Sequence, residues 1–378
     1  MVTKYQIKDF IHREGVHCES SAMRDLFEYY GFPMSEAMAF GLDATMGFGF
    51  FDATEGMFDS IDGEIPFFFG GKQDTIKPNS LACRLLGINL RKQSFTSPDS
   101  AWQEAKIMIE HDIPLILQAD LYYLDYFRFE DKIHFGGHMI TLGGFDEGKG
   151  IAYIGDTEHP GFQELNLDKL KSARSSEHGQ TFFHPKNAQY SMKPREDGKR
   201  PPLAAGIKLA IKQVVDNMLR PSLSNNGLSG LKKFASAIPR WKEQLKGRIT
   251  NPYTNEEINL AKLMFELIYG YIETWGTGGG SFRVLYGNFL KELLKTDELR
   301  KGPRAWTDEE FQIIEECVSL VEDSAENWTL IAETVLDAAK EYKENCLDHV
   351  SLGELYNIGL SIASVEEDLF KKLMKIKI

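Results

Sequence analysis

The chain has 378 residues, 42% of them hydrophobic and 26% charged, and a net charge of −13. That size and composition fit a folded globular protein of two domains or one large one. The acidic balance argues against bulk nucleic-acid binding. No apolar run is long enough to span a membrane, the N-terminus lacks a secretory leader pattern, and four scattered cysteines are no disulfide framework. The expectation is a cytoplasmic protein with reduced thiols and with no nucleic-acid or membrane partner; the oligomeric state stays open.

Met23, Leu26, Phe27 and Tyr30 recur at helical spacing, which predicts a helix over about 20–30, stopped by Gly31 and Pro33. Cys18 then lies at or just before the first turn. Further on, "IPFFFGG", "INLRKQSF" and "IPLILQADLYY" read as strands, and "NSLACRLLG" and "SPDSAWQEAKIMIEHD" as helices. "HFGGHMITLGGF", the turn "DEGKG" and "IAYIGD" read as a hairpin. "NLDKLKSAR" reads as a helix and "QTFFHP" as a last strand. "SMKPREDGKRPPLA", rich in proline and charge, reads as a linker. Helical periodicity dominates from there to the end. The expected fold is α+β followed by all-α: a domain over 1–190, a linker over 191–203 and a helical domain over 204–378.

The first domain carries the chemistry. Unpaired N–H groups at a helix N-terminus favour a thiolate, so Cys18 is a candidate nucleophile. Such a nucleophile needs a base, and the base needs an orienting group. The hairpin turn centres near Glu147, with His138 nine residues before it and Asp156 nine after. In a symmetric register the two would be cross-strand neighbours, with Cβ atoms about 5 Å apart. A one-residue slip would send them to opposite faces. Gly136 and Gly137 leave room beside His138 for backbone or substrate. His134 and His138, four apart on a strand, would be about 13 Å apart, too far to share a metal, so no metal site is expected. Cys18, a strand histidine and an aspartate on the next strand follow the order and roles of papain-like sites. Cys83, Cys317 and Cys346 sit in ordinary helical or loop settings and read as structural. Papain-like enzymes usually place an oxyanion-binding Gln upstream of the cysteine. None stands close here, and His17 and His12 are the candidates in its place.

These blocks carry a resemblance. "HCESSAMRDLFEYYG", "MSEAMAFGLDATMGFGF", "PFFFGGK", "IHFGGHMITLGGFD" and "YIGDTE" resemble the N-terminal domain of the butirosin biosynthesis protein H family. "IETWGTGGGSFRVLYGNFLKELL" is similar to the helical domain usually fused to it. The resemblance implies a papain-like fold related to bacteriocin-processing peptidases. It also implies an acyltransferase that moves an acyl group from an acyl-carrier-protein thioester to a small-molecule amine. Carried onto this chain, the nucleophile is Cys18, the base His138 and the orienting acid Asp156. No resident cofactor is implied beyond a phosphopantetheine thioester on the donor. "GLDATMGFGF" departs from the family's glycine run, and Asp43 and Thr45 there are candidates for shaping the acyl or acceptor pocket.

Two features keep two readings each. "GTGGGSFR" is either an anion nest for a phosphopantetheine phosphate, built on Gly278 and Gly279 with Arg283 as partner, or a tight turn between helices. Residues 191–250 carry thirteen Lys/Arg against four Asp/Glu, a net of +9. They form either solvated helix faces or a docking surface for an acidic carrier protein. The leading expectation is a Cys18 acyl-enzyme that transfers to an amine. The alternatives are a cysteine peptidase or amidase, and a catalytically silent binding protein on the same fold.

Overall fold

A computed structural model of the chain describes residues 3–52, 65–72, 80–127, 134–179, 181–250 and 256–377. In chain order come β1 (Lys4–Gln6), α1 (Cys18–Tyr29), α2 (Glu36–Leu42), β2 (Met46–Asp52), β3 (Phe67–Lys72), α3 (Leu81–Leu86), β4 (Ile88–Gln93), α4 (Pro98–Glu110) and β5 (Leu115–Ala119). They are followed by β6 (His138–Asp146), β7 (Ile151–Gly155), β8 (Gln163–Asn166), α5 (Leu167–Ser175) and β9 (Gln189–Pro194). Then come α6 (Leu203–Leu219), α7 (Gly227–Ala237), α8 (Trp241–Gln244), the short strands β10 (Arg248–Thr250) and β11 (Glu257–Asn259), α9 (Leu260–Tyr269), α10 (Arg283–Leu294), α11 (Asp308–Glu341) and α12 (Leu352–Leu373).

These elements form two compact units. The first comprises Met1–Ala39 and Thr75–Arg200, the second Phe40–Asp74 and Pro201–Ile378. A single cut near residue 190 therefore does not describe the chain, because the β2–β3 hairpin belongs with the helices. The reason is packing. Phe48, Phe67 and Phe69 of the hairpin pack on Trp328, Trp241 and Phe234 of the helices, with ring centroids 4.9–6.1 Å apart. Such pairs add about 0.5–1.5 kcal/mol beyond their buried area.

The first unit is an antiparallel sheet in the order β4-β9-β5-β6-β7-β8, with β1 pairing the far end of β6. Every residue of β6 is buried, and α1 packs on this strand through its apolar face. A cysteine at the start of a helix laid on an antiparallel sheet is the papain-like layout. Gly31, at φ +87°, ends α1 in the left-handed region that glycine tolerates. Two expected elements differ. "TFF" of the expected last strand is a 3-10 turn at Thr181–Phe183; Gln180 lies outside the described residues. The last strand of this sheet is instead β9, which runs from the end of the expected first domain into the stretch read as a linker. Gln189–Met192 are buried between β4 and β5, and the charged, proline-bearing sequence begins only at Lys193.

The second unit is helical around its hairpin. Most of the cations in 191–250 have carboxylate partners, among them Lys208–Glu310, Arg240–Asp52 and Lys232–Glu367 in the second unit and Arg195–Asp197 in the first. No helix among the described residues is long and apolar enough to cross a membrane.

Candidate active site

Cys18 is the first residue of α1, so its backbone N–H has no acceptor within the helix. The turn before it is tied down from two sides. The Glu36 carboxylate accepts the N–H groups of Val16 (2.9 Å) and His17 (2.8 Å) and the Ser20 hydroxyl (2.9 Å). Gly15 N–H donates to the Thr157 carbonyl at 2.8 Å, joining this turn to the segment that carries Asp156. Cys18 is partly exposed, whereas Cys83, Cys317 and Cys346 are buried. Burial pushes the Cys317 thiol up to about 12 and Cys346 upward. Those two stay protonated and unreactive.

His138 opens β6. Its Nε2–H donates to both oxygens of Asp156, at 2.8 and 2.9 Å, which leaves Nδ1 to serve the neighbouring Cys18 side chain. Burial opposes a charge on this ring, but the Asp156 carboxylate and Cys18 outweigh it, so the pKa is raised well above the ordinary histidine value. The Phe127 ring stands edge-on to the imidazole at 5.8 Å. Asp156 is fixed in turn. It accepts from the Tyr126 hydroxyl (2.8 Å), the Thr157 N–H (2.7 Å) and the Thr157 hydroxyl (3.2 Å). Burial and the neighbouring carboxylate push the Tyr126 pKa well up, so it remains a phenol that donates.

The register that brings His138 to Asp156 is not symmetric about Glu147. Near the turn, Phe145 opposes Ala152 and Gly144 opposes Tyr153. Continued unchanged, that pairing would set Asp156 opposite Thr141, on the other face from His138. A bulge between Leu142 and Gly144 shifts the pairing, so that Leu142 opposes Ile154 and Thr141 opposes Gly155. Asp156 then falls opposite Ile140, two residues from His138 and on its face. The extra residue is Gly143. A Cβ there would meet the Phe162 ring at 2.6 Å and Phe10 at 3.0 Å.

The other candidates are placed as follows. His134 does not share the strand with His138, since β6 begins at His138. Its Nδ1–H donates to a different carboxylate, Asp120, at 2.8 Å. Gly136 and Gly137 leave no open space. A Cβ at Gly136 would meet the Phe183 carbonyl at 2.7 Å, and one at Gly137 the Phe135 ring at 2.7 Å. Their lack of side chains serves packing of the 183–185 segment, not substrate. His12 is not an oxyanion donor either, because Nδ1 faces Asp25 (2.6 Å) and Nε2 the Asp156 carbonyl (2.8 Å). His17 caps α1, its Nδ1 accepting from Ser20 N–H at 3.3 Å, while Nε2 lies 4.0 Å from Glu19.

Asp43, Thr45, Gly278, Gly279 and Arg283 belong to the second unit. The Thr45 hydroxyl donates to the Phe40 carbonyl at 3.1 Å. The anion-nest reading of "GTGGGSFR" fails. Gly279 N–H donates to Thr277 and Gly280 N–H to Glu273, both at 3.2 Å. Arg283 is wholly buried and forks onto Glu366 at 2.7 and 2.9 Å. The run Gly278–Phe282 has positive φ throughout, a tight left-handed turn packed on Ala325. Among the described residues, no three His, Cys, Asp or Glu side chains are grouped to hold a metal ion.

Sequence reasoning missed Tyr126, Thr157 and Glu36. Only Thr157 carried a signal, as a hydroxyl directly after the candidate acid.

Residues 17–157 match the family model described as butirosin biosynthesis protein H, N-terminal; residues 168–373, more than half of the chain, match that of a domain of unknown function, DUF4872. The chain belongs to the DUF4872 family and carries a butirosin biosynthesis protein H-type N-terminal domain. That N-terminal match opens beside Cys18, contains His138 and closes beside Asp156. The DUF4872 match begins at Asp168, inside the first structural unit. No curated protein matches the chain. Among solved structures, a C39-like peptidase from Bacillus anthracis aligns with 51% of this chain and 98% of its own, at 14% identity and a TM-score of 0.34.

Proposed function

We propose that the chain is a thiol-dependent acyltransferase that works through a Cys18 acyl-enzyme. The observation that carries this reading is the contact chain Cys18–His138–Asp156, with Asp156 locked by Tyr126 and Thr157. Each group has the neighbour its role requires.

With the thiol proton already held on His138 Nδ1, the Cys18 sulfur attacks the carbonyl of an acyl thioester. The Cys18 N–H, at the positive end of α1, meets the oxyanion. Collapse of the adduct breaks the C–S bond to the donor thiol, which leaves with the proton from His138. An amine then attacks the acyl-enzyme and His138 takes its proton. The second collapse forms the amide, expels the Cys18 sulfur and restores its pair with the His138 imidazolium. Asp156 keeps the Nε2–H tautomer in place throughout.

The donor in this proposal is a phosphopantetheine thioester on an acyl-carrier protein, and the acceptor a small-molecule amine. The biosynthetic family of the N-terminal domain supports transfer over hydrolysis. The test is incubation with S-acyl pantetheine thioesters and a panel of amines, followed by mass spectrometry. The wild type gains one acyl group, Cys18→Ala gains none, and an amide appears with at least one amine. No adduct refutes the acyl-enzyme. An adduct released only as free acid, whatever the amine, makes the chain a hydrolase.

A further inference from the structure

A second histidine stands behind the site. His12, Arg24 and Asp25 are buried and form one connected group. His12 Nε2 lies 2.8 Å from the Asp156 carbonyl and Nδ1 2.6 Å from Asp25 Oδ2. The other Asp25 oxygen accepts from Arg24 Nε (3.0 Å) and Nη2 (2.8 Å). Arg24 also donates to the carbonyls of Arg13 and Glu14, in the turn that leads to Cys18. The fit is close. Gly155, next to Asp156, has no room for a Cβ, which would meet the His12 ring at 2.6 Å.

A carbonyl accepts only, and so does the Asp25 carboxylate, whose other oxygen takes both Arg24 hydrogen bonds. For both bonds to exist, each ring nitrogen of His12 must carry a proton. The group is then a row of charges, His12⁺–Asp25⁻–Arg24⁺. Burial opposes the charge on His12, and Arg24 works against it. Asp25 and the Asp156 carbonyl outweigh both, raising the pKa. Once His12 loses a proton, the carboxylate at 2.6 Å favours the tautomer with hydrogen on Nδ1. The bond to the Asp156 carbonyl is then the one released.

We infer that His12 is a positioning residue: as an imidazolium held by Asp25, it clamps the Asp156 backbone and so fixes the carboxylate that orients His138. This deepens the proposed function, because it rests on Cys18 and His138 as the reacting pair. The groups that face His12 are Arg24 and Asp25 from α1 and Asp156 after β7, with Phe162 against the ring.

The test uses the full chain and two variants, Asp25→Asn and His12→Gln, with folding checked by circular dichroism. Long-range ¹H–¹⁵N spectra follow the imidazoles from pH 5.5 to 9, and iodoacetamide rates follow Cys18 over the same range. In the wild type, both His12 nitrogens are expected to carry hydrogen at neutral pH. In Asp25→Asn, His12 titrates about one unit lower and the His138 pKa falls toward the ordinary value. Cys18 alkylation at pH 7.5 then drops about tenfold, and the deficit against wild type narrows as pH falls and His12 regains its proton. His12→Gln loses the alkylation at all pH values. A merely structural lesion would instead slow Asp25→Asn equally at every pH. That result, or a neutral His12 in the wild type at pH 7, overturns the inference. If wild-type Cys18 is no faster than a free thiol while His138 still shifts in Asp25→Asn, the nucleophile reading fails and the positioning role stands.

Discussion

Two buried carboxylates, one in each unit, hold a cation by two contacts and end in opposite situations. In the first unit Asp156 holds His138, whose other nitrogen serves a partly exposed cysteine. In the second, Glu366 holds Arg283, and the remaining contacts are protein as well: the Ser324 hydroxyl at 2.7 Å, the Ser281 carbonyl at 2.6 Å and the Trp328 ring. Histidine can exchange its proton near neutral pH, whereas arginine cannot. The first arrangement leaves one nitrogen for chemistry; the second turns its donors onto protein acceptors and serves the fold. Burial and charge alone do not mark a functional site; an exchangeable proton with a reachable neighbour does.

The largest effect that would break this comparison is expected in the second unit. Arg283→Met leaves Glu366 buried without its cation and should cost about 3–5 kcal/mol, read by denaturant unfolding. If stability stays unchanged, Arg283 is not structural and the anion reading reopens. In the first unit, Asp156→Asn should leave the fold intact and slow Cys18 alkylation near pH 7 on the order of 10²-fold, because the imidazole loses its anchor and counter-charge. A normal rate there would make the pair as structural as its counterpart. Tyr126→Phe removes one of several bonds to Asp156. It should cost about 1 kcal/mol in stability and move the His138 pKa slightly, both measurable by unfolding and NMR titration.

Much of this was legible in the sequence, for identifiable reasons. The helix after Cys18, the β6–β7 hairpin and the helical second half follow from local periodicity. The residue types of the site followed from the order of cysteine, histidine and aspartate. The symmetric register was wrong in count yet right in outcome, because the bulge at Gly143 restores the face, and a bulge leaves no sign in alternation. The partner of Arg283 lies eighty-three residues away, so the closed state of the glycine-rich turn was invisible locally. Tyr126 acts from a loop with no periodicity to mark it. The β2–β3 hairpin joined the helices through aromatic contacts across a long stretch of chain, which chain order hides. The second half of β9 was mistaken for linker because its charged end masks the buried Ser191 and Met192.

The most direct test of the account is the rate of Cys18 alkylation by iodoacetamide as a function of pH, in wild type and His138→Ala. His138 holds its proton above the ordinary histidine range, so the cysteine–imidazolium pair persists at neutral pH and dissolves only as pH rises through that raised value. The account predicts labelling at pH 6–7 well faster than a free thiol, lost in His138→Ala. A single rise near the free-thiol value of about 8.5, identical in both proteins, would contradict it.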